Sequence, residues 1–209
     1  MSKSMLKHSK NSLFDEINTH ILEDKTPSEY FNEISKTSLF REYPFELLYK
    51  LKQTEQSPKH HPEGSVWNHT MLVIDEAAKV RERSNDIKAF MWAALLHDIG
   101  KPGSTRIRKG RITSYDHDKL GSSLVREFLK EFTSDTVFID KVSALVRWHM
   151  QILFVVKNLP FGDIESMKKE ADIEEVALLG LCDRLGRTGT NREEEENNIK
   201  VFIKKCKEY

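Results

Sequence analysis

The sequence predicts an all-α fold, and three observations favour it. Along most of the 209 residues, apolar side chains recur at spacings of three and four, which is the period of an amphipathic helix. Stretches in which apolar and polar residues alternate, as they do in half-buried strands, are scarce. Neither an internal repeat nor a Gly- or Pro-rich linker is visible, so we expect one helical bundle with short helical extensions at both ends.

Two helices are predicted in the N-terminal part of the chain. The first covers Ser12 to Leu22, and its apolar side would consist of Leu13, Phe14, Ile17 and Ile21. The second covers Phe45 to Leu51. The polar stretch Gln53 to Gly64 contains two prolines and is expected to be a loop.

The remaining helices carry the chemically interesting residues. They are predicted at Val66 to about Val80, Ile87 to Asp98, Lys119 to Phe132, about Thr136 to His149, Ile173 to Asp183 and Arg192 to Lys205. Residues three or four apart share one helix face, so several His and Asp residues continue an apolar stripe and should face the core. In the first of these helices, we expect Leu72 on the buried side with His69. Gly180, one turn before Asp183, would let a second helix approach closely.

The composition argues against several classes of protein. Lys plus Arg and Asp plus Glu each number 33, so the net charge is zero, and binding to long duplex nucleic acid is not expected. Only two cysteines, Cys182 and Cys206, are present, too few for a disulfide scaffold, and we expect Cys182 in the core. Because the N-terminus lacks a secretory signal and no segment could span a membrane, we expect a cytoplasmic protein without membrane partners. The sequence does not indicate an oligomeric state.

The segment Leu95 to Pro102 is the most informative part of the chain. His97 and Asp98 end an apolar run and are followed at once by Gly100-Lys101-Pro102. Neighbouring imidazole and carboxylate groups suit a divalent cation such as Mn, Fe, Ni, Zn or Mg, without choosing among them. The structural alternative is that Asp98 caps the next turn and that His97 is a buried neutral histidine.

Four other residues could complete a metal site. They are His69, His117, His149 and Asp183. Burying several histidines and carboxylates without partners is costly, and a cation shared between helices would remove that cost. Taken singly, each has a structural alternative: His69 as a hydrogen-bonded core residue, and Asp183 in an ion pair with Arg184 or Arg187. His60, His61 and Glu63 precede His69 in the loop, and we do not assign them as ligands.

The ordered set His69, His97-Asp98, His117, His149 and Asp183 resembles the HD-domain superfamily of metal-dependent phosphohydrolases, and His97-Asp98-Ile99-Gly100 matches its best-known tetrapeptide. Within this superfamily, His60 to Thr70 and Asp183 to Arg187 are similar to the HD region of bacterial tRNA nucleotidyltransferases, the CCA-adding family. The likeness covers about Phe40 to Arg187. Those enzymes also carry a nucleotidyltransferase head with paired aspartates. Met1 to Tyr43 is too short to supply one, so we expect the HD portion standing alone, and nucleotide addition to tRNA is not implied.

The resemblance implies an HD-domain helical bundle, which we place at residues 56–190, between an N-terminal extension at 1–55 and a C-terminal helix at 191–209. It also implies one or two divalent ions. His69, His97, Asp98 and Asp183 would hold the first ion, and Asp98 would bridge to a second held by His117 and His149. The presence of both additional histidines favours two ions.

Basic residues near these candidate ligands suit a phosphate substrate. Lys101 is expected to contact the phosphate or the leaving oxygen, although a solvated lysine is the plain alternative. Arg187 is a second candidate, because a guanidinium fork matches phosphate oxygens. The loop from Lys101 to Arg111 carries five basic residues and no acidic one, which suits a nucleotide or an RNA end or else describes an ordinary solvated loop.

The sequence therefore predicts a metal-dependent phosphohydrolase acting on phosphomonoester or cyclic phosphodiester bonds of nucleotides or RNA ends. The first alternative is a non-catalytic module in which metal braces the HD core and the protein binds RNA or a nucleotide. The second alternative is an interaction domain whose histidines are merely buried. Neither the natural substrate nor the identity of the metal follows from the residues.

Overall fold

The computed structural model describes residues 9–209, and this part of the chain folds into α-helices joined by turns, loops and three 3-10 helices, with one small β-hairpin. The N-terminal helices are α1 (Lys10–Glu23), α2 (Pro27–Ile34) and α3 (Glu46–Tyr49). The central elements are α4 (Val66–Val80), α5 (Ile87–Leu96), α6 (Lys101–Ser104), β1 (Arg106–Arg108), β2 (Arg111–Thr113), α7 (His117–Lys130) and α8 (Thr136–Trp148). The C-terminal helices are α9 (Gln151–Val156), α10 (Ile164–Glu170), α11 (Ile173–Leu185) and α12 (Arg192–Glu208). The predicted all-α class is confirmed.

Five short elements were not predicted from the sequence. They are α2, α6, α9, α10 and the antiparallel hairpin of β1 and β2, in which Ile107 pairs with Ile112. The segment expected to be a basic loop thus contains regular structure. Each of these elements spans eight residues or fewer, which is too short for a period of 3.6 or 2 to stand out.

The helix α5 lies at the centre of the bundle. Every residue from Ala89 to Leu96 is buried, as expected for a helix that is hydrophobic all round. Its Trp92 ring stacks on Phe14 of α1 at 4.7 Å and lies 6.1 Å from Phe128 of α7. Because its neighbours hold α5 on all sides, the turn that follows Leu96 has a fixed position.

Side-chain caps define where four of the helices that carry or precede candidate ligands begin. Four helices start with a Ser or Asp whose side chain accepts a hydrogen bond from a first-turn N–H group: Ser65 for α4, Asp86 for α5, Asp135 for α8 and Asp172 for α11. Each such cap stabilises its helix by about 1 kcal/mol. The caps therefore set the register of the residues that these helices carry toward the core.

Helix contacts confirm some expectations and correct another. A Cβ atom on Gly180 would lie 1.9 Å from Ile152 Cδ1, so α9 does approach α11 closely at this glycine. Cys182 is buried as predicted. The expectation for Leu72 was wrong: its side chain is 40% exposed, because it lies at the solvent edge of the buried stripe of α4.

Among residues 9–209, no helix is long and apolar enough to cross a lipid bilayer. The proposed division into residues 1–55, 56–190 and 191–209 stays a prediction.

Candidate metal centre

Five helices bring the six candidate ligands to one buried point. His69 lies in the first half of α4, and His97 and Asp98 form the turn after α5. His117 is the first residue of α7, His149 directly follows α8, and Asp183 lies near the end of α11. All six side chains are buried. The structure thus gathers every residue that the sequence singled out as a ligand.

Asp98 lies between two pairs of histidines. Its Oδ2 atom is 3.2 Å from His97 Nε2 and 4.0 Å from His69 Nε2. Its Oδ1 atom is 3.5 Å from His117 Nε2 and 4.0 Å from His149 Nε2. The two oxygens of one carboxylate therefore face two separate groups of nitrogen atoms.

Hydrogen bonds to the backbone set the tautomers of three histidines. In each ring, Nδ1 donates to the carbonyl oxygen of the residue three positions earlier: His97 to Ala94 at 2.9 Å, His117 to Ser114 at 2.7 Å, and His149 to Val146 at 2.7 Å. With Nδ1 protonated, Nε2 carries a lone pair. Metal-binding histidines are commonly oriented by such a bond at the other ring nitrogen.

Several polar atoms at this point have no hydrogen-bond partner. Among residues 9–209, His97 Nε2 and Asp98 Oδ2 are buried and accept or donate no hydrogen bond, although Asp98 Oδ2 forms an ion pair with Lys101. His117 Nε2 and His149 Nε2 lie 3.2 Å apart, so two nitrogen lone pairs face each other. Leaving buried polar atoms unsatisfied costs about 1–3 kcal/mol each. A divalent cation would satisfy all of them, and imidazole nitrogen with carboxylate oxygen is a donor set that suits such an ion.

The electrostatic environment also suits a cation. Burial lowers the pKa of His117, and burial together with repulsion from His117 and His97 lowers the pKa of His149 to about 4. Burial alone would raise the pKa of Asp98, but electrostatic attraction to His97 and Lys101 holds it well below the usual range. At neutral pH, the centre therefore offers neutral imidazoles at His117 and His149 and an ionised carboxylate at Asp98, which are forms that bind metal. The pKa of His69, which burial alone would lower, is instead raised by Asp183 and Glu63.

Asp183 enters the centre with a second partner. Arg187 Nη2 donates to both of its carboxylate oxygens, at 3.1 and 3.3 Å, and His69 Nε2 lies 2.9 Å from Asp183 Oδ1. Burial would raise the pKa of Asp183, but the charge of Arg187 and the hydrogen bond with His69 hold it well below the usual range. The ion pair that the sequence analysis offered as an alternative for Asp183 is therefore formed with Arg187. Arg184 instead pairs with Glu195, at 2.9 Å.

Two residues that the sequence analysis did not assign lie beside His69. Glu63 Oε1 is 2.9 Å from His69 Nδ1, in a contact that does not meet hydrogen-bond geometry, and 2.8 Å from His61 Nδ1. His61, Glu63 and His69 form a further group whose ligand atoms are close enough to hold an ion. His60 is exposed. Glu63 and His69 are six residues apart, and the segment between them is partly loop and partly helix. Such a spacing matches neither the helical nor the strand period, so the sequence pattern could not reveal this contact.

Lys101 is buried, and this corrects the alternative of a solvated lysine. Its Nζ atom lies 2.7 Å from Asp98 Oδ2 and donates to Gln56 Oε1 at 2.6 Å. Gln56 comes from the loop before α4 and was not singled out from the sequence. The ammonium group is therefore held beside the central carboxylate from two sides.

Gly100 allows the two halves of the site to meet. A Cβ atom at this position would lie 2.1 Å from the backbone oxygen of His117 and 2.6 Å from the backbone nitrogen of Gly121. The turn after Asp98 consequently packs directly on the backbone of α7. This close approach is what places His117 next to Asp98.

Comparison with known proteins agrees with this arrangement. A family model described as HD domain matches residues 66–188, a range that contains all six candidate ligands. Multifunctional CCA proteins are similar to most of the chain: 26% identical over 175 residues in Mannheimia succiniciproducens, covering 80% of this chain and 41% of the relative. The protein of that name from Actinobacillus pleuropneumoniae serotype 5b is 29% identical over 156 residues, which cover 71% of this chain and 37% of the relative. The Multifunctional CCA protein from Methylococcus capsulatus is 24% identical over 189 residues, which cover 88% of this chain and 37% of the relative.

The chain thus spans about two fifths of the length of these relatives. The resemblance to the HD region of CCA proteins, inferred from His60 to Thr70 and Asp183 to Arg187, is confirmed. Since the family model covers more than half of its residues, this chain belongs to the HD domain family.

Proposed function

We propose that this protein is a metal-dependent phosphohydrolase that acts on phosphomonoester or cyclic phosphodiester bonds of nucleotides or RNA ends. One observation carries the proposal: the Asp98 carboxylate lies between two groups of histidine Nε2 atoms. Of these atoms, His97 Nε2 lacks a hydrogen-bond partner among residues 9–209, and those of His117 and His149 face each other. The relatives named Multifunctional CCA protein support an RNA end as the substrate class.

Two groups of residues would hold the ions. His69, His97, Asp98 and Asp183 would bind the first, and Asp98 with His117 and His149 would bind the second. A divalent ion there would neutralise phosphate charge and lower the pKa of a bound water to about 7. The donor set does not distinguish Mn, Fe, Ni, Mg and Zn.

Two basic side chains would bind the phosphate itself. Lys101 Nζ lies beside the central carboxylate, where it would donate a hydrogen bond to a phosphoryl or leaving oxygen. Arg187 keeps its Nε atom buried and without a hydrogen-bond partner among residues 9–209, so a substrate oxygen could accept from it. Both donors are held in place before substrate arrives, which is how fixed charges stabilise a transition state.

The position of Lys101 favours an enzyme over a metal-braced binding module. A structural metal site gains nothing from an ammonium group 2.7 Å from its central carboxylate, because the two cations compete for the same oxygen. A reacting phosphate, by contrast, brings negative charge that the ammonium group stabilises. An interaction domain with merely buried histidines would leave the unpartnered atoms of the centre unexplained.

The direct test is hydrolysis of a panel of phosphate esters by the full chain. The panel holds an aryl phosphate, an aryl phosphodiester, nucleoside monophosphates and a 2′,3′-cyclic nucleotide, each with Mn, Ni, Mg or chelator. We expect turnover that requires added metal and disappears with chelator. Folded, metal-loaded protein that hydrolyses none of these esters would contradict the proposal and favour the binding module.

Replacement of Lys101 by Met should lower kcat by about a hundredfold, the loss typical of removing one preorganised donor at a developing anion. The Lys119→Met variant is the matched control, because this lysine is 60% exposed and pairs with Asp116 on the surface. Steady-state kinetics on the best substrate of the panel measure the effect. An unchanged kcat for Lys101→Met would exclude a role of Lys101 in the reaction.

Replacement of Glu63 by Gln should weaken metal binding by about ten- to a hundredfold, as loss of an outer partner of a ligand usually does. The carboxylate beside His69 Nδ1 would keep a proton on Nδ1 when an ion displaces the Asp183 hydrogen bond at Nε2, so that Nε2 can bind the ion. Glu55→Gln is the control, since Glu55 is exposed in the same loop. Calorimetric titration of chelator-stripped protein with Mn or Ni measures the affinity, and equal values for both variants would contradict a positioning role of Glu63.

A further inference from the structure

The β1–β2 hairpin carries its basic residues on one face. Arg106 pairs with Thr113, and Arg108 lies directly opposite Arg111. Because alternate residues of a strand and directly opposed residues of an antiparallel pair share a face, all three arginines project from the same side. All three are exposed.

This arrangement is unfavourable for the isolated protein. Like charges placed directly opposite each other destabilise a strand pair. Within the described chain, no acidic side chain forms an ion pair with any of the three arginines. Lys109, with φ +49°, and Gly110, with φ +73°, form the hairpin turn, and Lys109 adds a fourth cation at the tip. An anionic partner would balance this charge.

An exposed aromatic ring accompanies the arginines. Tyr115, two residues after β2, is 60% exposed, and the Arg108 guanidinium lies 5.3 Å from the centre of its ring. An exposed ring next to cationic side chains is the combination that binds single-stranded nucleic acid, where bases stack on aromatics and cations contact phosphates. A duplex keeps its base faces stacked inside and could not use the ring.

The hairpin is attached directly to the candidate metal centre. At its base, the hydroxyl groups of Thr105 and Ser114 form a 2.7 Å hydrogen bond. The backbone oxygen of the same Ser114 accepts the 2.7 Å hydrogen bond from His117 Nδ1. One residue therefore connects the arginine face with a candidate ligand.

We propose that Arg106, Arg108, Lys109, Arg111 and Tyr115 form a binding surface for single-stranded nucleic acid and guide the end of a strand to the metal centre. Three residues of strand extend about 10 Å, so the cations are spread further than a single phosphate group reaches. The substrate would accordingly be the end of a chain rather than a free mononucleotide. The guiding role rests on the proposed phosphohydrolase function, whereas the binding role does not.

The test measures binding apart from turnover. Fluorescence anisotropy with a short labelled single-stranded RNA, in chelator and over a range of salt, compares the full wild-type chain with the triple variant R106Q/R108Q/R111Q. A DNA strand of the same sequence serves as a second probe, to identify which sugar the surface accepts. The matched control, K169Q/K204Q/K207Q, removes three exposed charges on α10 and α12.

We expect the arginine variant to raise Kd by more than about tenfold and to reduce the slope of log K against log salt by roughly two, at about 0.7 for each lost phosphate contact. The Tyr115→Ala variant should raise Kd by about tenfold through lost stacking. The lysine control should bind like the wild type. Equal Kd values for wild type and arginine variant, an equal loss in the lysine control, or stronger binding to a duplex would each overturn the proposal.

Failure of this inference and failure of the proposed function give different results. If the wild type hydrolyses the aryl phosphate with metal but binds no single strand, the hairpin proposal fails and the phosphohydrolase stands. If the strand binds through the arginines but no ester is hydrolysed, the surface stands and the enzyme proposal fails.

Discussion

The Asp98→Asn variant is expected to lose metal-dependent hydrolysis while it keeps its fold. Asp98 is the only side chain of the candidate centre that faces both histidine groups, and an amide oxygen is a much weaker ligand than a carboxylate. Loss of an outer partner alone weakens a metal site ten- to a hundredfold, so loss of this central ligand should reduce kcat/KM by at least about a hundredfold.

The measurement pairs activity with metal affinity. The kcat/KM for the panel substrate and the calorimetric affinity for Mn or Ni should decrease together. The circular-dichroism spectrum should stay that of a helical protein. Asp140→Asn is the control, because this aspartate is 62% exposed and pairs with Arg126 on the surface. If Asp98→Asn kept wild-type activity with a full complement of metal, the assignment of Asp98 as the shared ligand would be wrong.

The Gly100→Ala variant should be among the most destabilised single substitutions in this chain. An added Cβ would lie 2.1 Å from a backbone oxygen and 2.6 Å from a backbone nitrogen of α7, and backbone in a packed helix cannot turn aside as a side chain can. Overpacking a well-packed site usually costs 1–3 kcal/mol. Since both obstructing atoms are backbone, we expect a loss of about 3 kcal/mol or more in the free energy of unfolding.

Urea denaturation measures that loss, with Gly162→Ala as the matched control. The nearest atom to a Cβ on Gly162 is 3.6 Å away, an ordinary contact, so the control should stay near wild-type stability or gain slightly. Metal affinity gives a second readout, because moving α7 would separate His117 from Asp98. Equal unfolding free energies for the two variants would show that the turn after Asp98 does not pack on α7 as described.

Much of the fold could be predicted because the long helices follow the hydrophobic period. The helices α4, α8 and α11 begin and end within a few residues of the predicted bounds, since each has an apolar stripe and a capping Ser or Asp at its start. The short elements could not be predicted, because tertiary contacts rather than local period stabilise them. The N-terminal end of α2, for example, is held by Asp75 of α4, which accepts hydrogen bonds from Ser28.

The candidate ligands could be named from the sequence because each continues an apolar stripe or sits in a recognisable motif. Their partners could not. Gln56 and Glu63 lie in a polar loop, where only the folded backbone determines which side chain reaches Lys101 or His69. The basic segment after Lys101 was recognised by its charge, but its arrangement as a one-sided arginine face depends on the strand register between Arg108 and Arg111.

The spread of the candidate ligands along the chain has a consequence for folding. His69 and Asp183 are in contact although 114 positions separate them in the sequence. Of the six candidate ligands, only His97 and Asp98 are adjacent in the sequence, so an unfolded chain offers an ion little more than this pair. A cation bound to the complete centre would act as a reversible cross-link of the native state alone, adding about 2.7 kcal/mol of stability at roughly one hundred times its Kd. Any opening that detaches α11 would remove Asp183 from the centre, so metal release and susceptibility of this helix to proteases should rise together.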